Sequence, residues 1–209
     1  MKVKIVVTDW SGVISDDRKP VYTANMRLLD DYGKPKMSFE EWLPRTRMTP
    51  QELLGDCGIN DDPDKIFRQY TKYLEEAKKL GIVPILYPNV KETLEYLQDN
   101  NKSVVVISSH PEESLRREAM EYGIANLISL IVGNSRGKVE ELREVCRNFN
   151  LAPREIVYIG DTIYDMRAAR EVGVCSAAVC DGYHTREKLE LENPDIVMGK
   201  FGELIRFIE

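Results

Sequence analysis

Five short runs of β-branched and small apolar residues punctuate the chain: VKIVVTD at 3–9, SVVVISS at 103–109, LISLIVG at 127–133, EIVYIGD at 155–161 and CSAAVC at 175–180. Turn-forming residues bound them, and they do not alternate apolar with polar. Continuously apolar runs of this length are strands covered on both faces, the pattern of a parallel sheet. Between them PEESLRREAMEYG, KVEELREVCRNFN and IYDMRAAREVG repeat apolar residues at helical spacing. The first opens on a proline suited to a first helical turn and closes at Gly123. Alternating strands and helices predict an α/β fold, a doubly wound parallel sheet with helices on both faces.

One stretch breaks the alternation. From about Ser15 to Pro84 no strand pattern is found, only the helical segments VYTANMRLLDDYG, SFEEWLPRT, TPQELLGDCG and PDKIFRQYTKYLEEAKKLG, separated by Gly, Pro and Asp. The alternation resumes at VPILYPNVKETLEYLQDNN, a helix leading into the second strand. The predicted division is an α/β core of residues 1–14 and 85–209 with an inserted α-helical domain at 15–84, and neither repeats nor low-complexity tracts interrupt it.

Charge and composition narrow the partners. A formal net charge of −6 provides no broad basic field for nucleic acid or anionic lipid, so an anionic ligand must be met by local cations or a metal. Met1 runs directly into a strand pattern without a signal-peptide signature, and no window approaches the roughly 20 apolar residues of a membrane span, so a cytoplasmic protein is expected. Four cysteines without C-x-x-C spacing and only two histidines argue against zinc and for free thiols. Monomer and homodimer both remain open.

In open α/β sheets ligands bind beyond the carboxyl ends of the strands. Asp9 closes the first predicted strand, Ser108 the second, Lys138 follows the third, and Asp161 closes the fourth with Asp165 four residues on. Each has an ordinary reading alone, as a helix cap or a solvated surface group. Together they deliver three carboxylates, a hydroxyl and an ammonium to one edge. Crowded carboxylates raise one another's pKa unless a cation joins them, and a hard oxygen set with open positions suits Mg²⁺. With Mg²⁺ and Lys138 neutralising a bound phosphate, Ser108 and the N–H groups opening the next helix can hold its oxygens, and Asp9 can attack phosphorus in line.

These residues resemble the haloacid dehalogenase superfamily along essentially the whole chain. VVTDWSGV resembles its nucleophile motif, VVVISS its hydroxyl motif, Lys138 in RGKVEELREVC its lysine motif and VYIGDTIYD its acidic motif. The helical insertion falls where the family carries a cap, and NPDIVMGKFGELIRFI resembles its last strand and helix. The resemblance implies a Rossmann-like core with Asp9 as nucleophile and metal ligand. It implies the Ser11 backbone carbonyl as a further ligand, and Ser108 and Ser109 with Lys138 as phosphate binders. It gives Asp161 to Mg²⁺ with Asp165 supporting, and Arg136 is the rival to Lys138. The implied reaction is hydrolysis of a small phosphorylated metabolite through an aspartyl phosphate.

Ser11 departs from the pattern, because phosphatases of this family usually carry a second aspartate there, a general acid and base worth about 10² to 10⁴ in rate. Three readings follow. One is a phosphatase favouring good leaving groups or borrowing another carboxylate such as Asp16 or Asp17. Another is a phosphonoacetaldehyde-hydrolase-like enzyme, since DWSG resembles that branch, although residues 37–64 carry no lysine for the imine and only Lys34 and Lys36 stand near. The third is a regulatory binding protein that kept the metal site and lost turnover. For specificity the insertion offers Arg45 and Arg47 as cations for a second anionic group, with Trp42 and Met48 as an apolar wall; the alternative has the arginines solvated and Trp42 in the core of the insertion. His110 is read as a substrate contact or a helix cap, and His184 as a loop residue.

Overall fold

The computed structural model describes residues 3–47 and 49–208. Its main sheet joins β1 (Ile5–Thr8), β4 (Ser103–Ile107), β5 (Leu130–Val132), β6 (Ile156–Gly160), β7 (Cys175–Val179) and β8 (Ile196–Met198), numbered along the chain, in the order β5-β4-β1-β6-β7-β8. Its paired neighbours all run parallel, Ile5 of β1 lying beside Ser103 on one side and Ile156 on the other. The remaining strands, β2 (Ser15–Asp16) and β3 (Ile85–Leu86), form a separate two-stranded sheet. The chain builds outward from β1 through β4 to β5, then returns to β6 on the other side. That reversal between β1 and β6 is the switch point where open sheets bind ligands.

Each apolar run is split between two cores by the twofold period of a strand. Val6, Val104, Val106, Val157 and Ile159 face one cluster, in which Leu94 and Leu97 of α5 (Val90–Asp99) and Leu115 and Ala119 of α6 (Glu112–Glu121) are buried. Ile5, Val7, Val105, Ile107, Ile156 and Tyr158 face the other. There Leu142 and Val145 of α7 (Val139–Asn148) meet Ala168 and Ala169 of α8 (Ile163–Val172). Helices thus cover both faces. The doubly wound plan expected from the apolar runs is the observed one.

The chain divides into two compact units, Met1–Asp16 with Leu86–Glu209, and Asp17–Ile85. The second holds α1 (Arg18–Asp31), α2 (Phe39–Trp42), α3 (Pro50–Asp56) and α4 (Pro63–Lys79). Its short helices are started by side chains. Ser38 and Thr49 each accept from the backbone N–H three residues on, while Glu41 and Glu52 reach back to them. Trp42 is fully buried, its ring 5.4 Å from that of Tyr22 and 5.5 Å from that of Phe39. Of the two readings of Trp42, core filler is the observed one; Met48 lies outside the described residues.

Two expectations change. The stretch from Ser15 carries the two-residue strand β2, too short to register as a pattern, and the helix expected after the last strand is a 3₁₀ helix, Phe201–Arg206. A further helix, α9 (Arg186–Glu190), is capped by Thr185. Among the described residues no helix is long and apolar enough to cross a membrane.

The burial has a measurable consequence. Leu94 is fully buried, so Leu94→Ala is expected to destabilise the protein by about 2–5 kcal/mol in urea denaturation. Arg116→Ala, which removes an exposed ion pair with Glu112, should cost less than about 1 kcal/mol.

Candidate active site

Asp9 and Asp161 each stand one residue beyond the strands at the switch point. The Asp9 N–H donates to the Ile159 carbonyl at 2.9 Å, which carries the β1–β6 pairing past the end of β1. The turn after Asp9 is tied by the Trp10 carbonyl, which accepts from the N–H groups of Val13, Ile14 and Ser15. The Trp10 indole turns inward, donating to Glu118 Oε2 at 2.8 Å and stacking on Tyr122. A tryptophan beside the candidate nucleophile is therefore core, and its backbone N–H is what reaches the site, donating to Asp9 Oδ1 at 2.7 Å.

Lys138 enters from the loop after β5. Backbone bonds from Ser108 to Val132, from Asn134 to His110 and from Ser135 to Ser108 zip that loop to the one after β4. Lys138 has the left-handed φ of 66°, and its N–H donates to Ser135 Oγ at 3.0 Å. Its ammonium lies 2.5 Å from Asp9 Oδ2 and 2.6 Å from Asp165 Oδ1. One carboxylate oxygen each from Asp9, Asp161 and Asp165 falls within 4.8 Å of the others. The expected cation and three carboxylates are thus brought together in a buried cluster.

The carboxylates differ in their partners. Asp165 is saturated: Oδ1 accepts from Lys138 and from the Tyr158 hydroxyl at 2.7 Å, and Oδ2 accepts from the Thr162 N–H at 3.0 Å and hydroxyl at 2.6 Å. Asp161 Oδ2 accepts from the Tyr183 N–H at 2.7 Å, whereas its Oδ1 is buried without a hydrogen-bond partner. Backbone closes on Asp161 from two sides. A Cβ on Gly12, whose φ is +74°, would lie 2.0 Å from Asp161 Oδ2, and one on Gly182 would lie 2.2 Å from it. An unsatisfied buried oxygen, two neighbouring carboxylates and a cradle with no room for side chains fit a small, hard divalent cation.

Electrostatics follows the partners. Burial, and then the charges of Asp165 and Asp9, push the Asp161 carboxyl well above the ordinary range. Burial also raises Asp9, against the opposing pull of Lys138. Burial acts upward on Asp165 too, but Lys138 and the donors Thr162 and Tyr158 outweigh it and leave that carboxyl low. On Lys138 burial acts downward, and the two carboxylates outweigh it to hold the ammonium charged.

The other expected residues are placed unevenly. Ser108 is buried, with its Oγ accepting from the His110 N–H at 3.3 Å; Ser109 and Arg136 are exposed, and His110 and Ser11 are half-buried. Arg45 and Arg47 are exposed on the helical unit, Arg47 paired with Asp56 at 2.6 Å. His184 is buried beside the site, its N–H on the Asp161 carbonyl and its Nδ1 accepting from the Ile163 N–H at 3.0 Å. Tyr158 and Thr162 went unrecognised. Their signals were present: a lone hydroxyl in an aliphatic strand needs a buried partner, and Thr162 three residues before Asp165 is a capping box.

Comparison with known proteins bears on the family and the fold. The family model for haloacid dehalogenase-like hydrolases matches residues 6–179. The chain is similar to the phosphoglycolate phosphatase of Haemophilus influenzae strain 86-028NP, 29% identical over 137 residues covering 63% of this chain and 61% of that one. It is 24% identical to the Escherichia coli K12 phosphoglycolate phosphatase over 175 residues, 78% of this chain and 69% of that one. The match thus spans about three fifths of the length of the Haemophilus influenzae relative. Among solved structures, a haloacid dehalogenase-like hydrolase from Streptococcus pneumoniae superposes with a TM-score of 0.86 at 20% identity, covering 99% of this chain and 98% of that one.

The Asp161 environment sets a pH dependence. A carboxyl whose folded pKa lies above its unfolded value withdraws stability as pH rises from that unfolded value through the folded one. In chelator-treated protein Asp161→Asn is therefore expected to melt above the unsubstituted chain at pH 7, with the gap closing toward pH 4. Melting curves at the two pH values check it, and a variant that melts lower at pH 7 contradicts the assignment.

Proposed function

The chain belongs to the haloacid dehalogenase-like hydrolase family, and from that premise we propose a Mg²⁺-dependent phosphohydrolase acting on a small phosphorylated metabolite. The carrying observation is the pairing of Asp9 with Lys138 at 2.5 Å beside the unsatisfied Oδ1 of Asp161. Asp9, Asp161 and the Ser11 carbonyl would hold Mg²⁺, with Asp165 supporting. When bound, the ion supplies positive charge that offsets the phosphate's and lets an anionic nucleophile approach.

The chain's own residues do the rest. The Trp10 N–H on Oδ1 and Lys138 on Oδ2 fix the carboxylate plane of Asp9. Its oxygen forms a bond to phosphorus as the bond to the leaving oxygen breaks, and water then cleaves the aspartyl phosphate, releasing inorganic phosphate and restoring Asp9. Lys138 holds a phosphate oxygen throughout, Ser108 and Ser109 take others, and His110 contacts the substrate. The proton required by the departing alkoxide is the weak point. The Ser11 hydroxyl is too poor an acid to deliver it, so good leaving groups are favoured.

In this reading the helical unit is the substrate-selecting cap, and Arg45 and Arg47, the latter paired with Asp56 at 2.6 Å, are its candidate cations for an anionic group of the substrate. Phosphoglycolate, the substrate in the names of the curated relatives, is the first carboxylated phosphate to try. Of the two lysines that the phosphonoacetaldehyde reading could use, Lys36 is exposed and paired with Asp30 at 3.1 Å, which disfavours it as an imine former.

With Mg²⁺, para-nitrophenyl phosphate should be hydrolysed and Asp9→Asn should reduce the rate to background. Ser11→Asp should raise turnover of alkyl phosphates such as phosphoglycolate by about 10² to 10⁴. Phosphate release from no ester, with Mg²⁺ bound, would overturn the hydrolase reading in favour of a binding protein. Equal rates for aryl and alkyl esters in the unsubstituted chain would mean that another group supplies the proton.

A further inference from the structure

Tyr158 has no part in the mechanism above, yet it touches two of its members. It lies on β6 two residues ahead of Gly160, and the alternation of the strand turns it toward α7 and α8, away from its neighbours Val157 and Ile159. A fully buried tyrosine among aliphatic residues must spend its hydroxyl on a partner. That partner is Asp165 Oδ1, at 2.7 Å, the same oxygen that Lys138 contacts at 2.6 Å. The ring serves a second time, with the Lys138 ammonium 5.9 Å from its centroid, inside the range of a cation–π contact. The tyrosine therefore meets the ammonium twice, by its ring and through the shared carboxylate oxygen.

Lys138 has reason to need such support. Its backbone occupies the left-handed region that non-glycine residues seldom adopt, and its long side chain loses several rotors when its end is fixed. In the proposed reaction Asp9 alone cannot hold the ammonium in place, because Asp9 becomes phosphorylated during turnover and its carboxylate loses the charge that attracts it. Asp165, tied at both oxygens, is the fixed side of the pair. Thr162 holds Oδ2, the oxygen away from the lysine, and Tyr158 holds Oδ1, the oxygen on it.

We propose that Tyr158 is a positioning residue that fixes the Lys138 ammonium against Asp9, acting through Asp165 Oδ1 and through its own ring. The assignment deepens the hydrolase reading by naming what keeps its phosphate-binding cation in place. It would stand as a statement about Lys138 even in a protein without turnover.

The test reads Lys138 directly. Acetylation of lysines by an N-hydroxysuccinimide ester, followed by mass spectrometry without metal or substrate, reports how often the ammonium leaves its partners. Tyr158→Phe removes the hydroxyl and keeps the ring, and should raise the Lys138 rate about tenfold while exposed lysines stay unchanged. Asp165→Asn should raise it at least as far, and Tyr158→Phe added to Asp165→Asn should raise it little more, as expected for a shared path. Thr162→Val, acting on the other oxygen, should leave Lys138 within about twofold. A Lys138 rate unchanged in Tyr158→Phe, additive effects in the double variant, or an equal rise in Thr162→Val would overturn the proposal. So would an Asp165→Asn protein with Lys138 still protected, whether or not Tyr158→Phe folds. Absence of phosphatase activity with these labelling results intact would instead remove the hydrolase reading alone.

Discussion

The site depends on a buried charge balance: three carboxylates withdrawn from water at the end of one sheet, with a single buried ammonium among them. Burying an unpaired carboxylate is costly, and like charges a few ångströms apart make it worse. Lys138 settles the account for Asp9 and Asp165 but lies on no oxygen of Asp161 that the structure records. Asp161 Oδ1 is thereby left without a hydrogen-bond partner in the buried cluster. In an otherwise well-bonded cluster of three carboxylates, that deficit fits the hard cation that the proposed reaction requires.

Precision at this point comes from the sheet. Asp9 and Asp161 leave adjacent parallel strands, so their separation is set by strand pairing rather than by loop conformation. The Asp9 N–H extends that pairing one residue into the site. Lys138 has a longer lever, but its loop is zipped by backbone bonds to the loop after β4, so it too is referenced to the sheet. Rigid elements therefore aim the charged groups, while the glycines at 12 and 182 let backbone come close enough to exclude water from around Asp161.

Much of this was legible in the residues. Continuous apolar runs without alternation required a covered parallel sheet, and the polar residue ending each run then had to fall on one edge. What escaped was of two kinds. The strand Ser15–Asp16 is too short to have a period, and the six residues Phe201–Arg206 are too few for spacing to tell a 3₁₀ helix from an α-helix. Tyr158 and Thr162 escaped because their importance lies in partners at other heights of the fold. A strand tyrosine reads as apolar filler until the oxygen it donates to is known. Of the two readings of Arg45 and Arg47, the structure has both exposed, with Arg47 paired to Asp56.

The strand order also bears on how the molecule is made. β1 precedes the other described strands along the chain and lies inside the finished sheet, and its two neighbours lie far downstream, Ser103 pairing with Ile5 on one side and Ile156 on the other. During synthesis an apolar strand with both edges open must therefore wait until most of the chain has emerged. Long-range parallel pairing of this kind folds slowly and leaves sticky edges exposed meanwhile. The helices of residues 17–85, whose main contact joins α1 to α4 within that same stretch, need no partner from further downstream. The nascent chain thus spends its early life with an ordered helical segment following an unpaired strand, and chaperone demand should track the wait for β4 and β6 more than the stability of the finished fold.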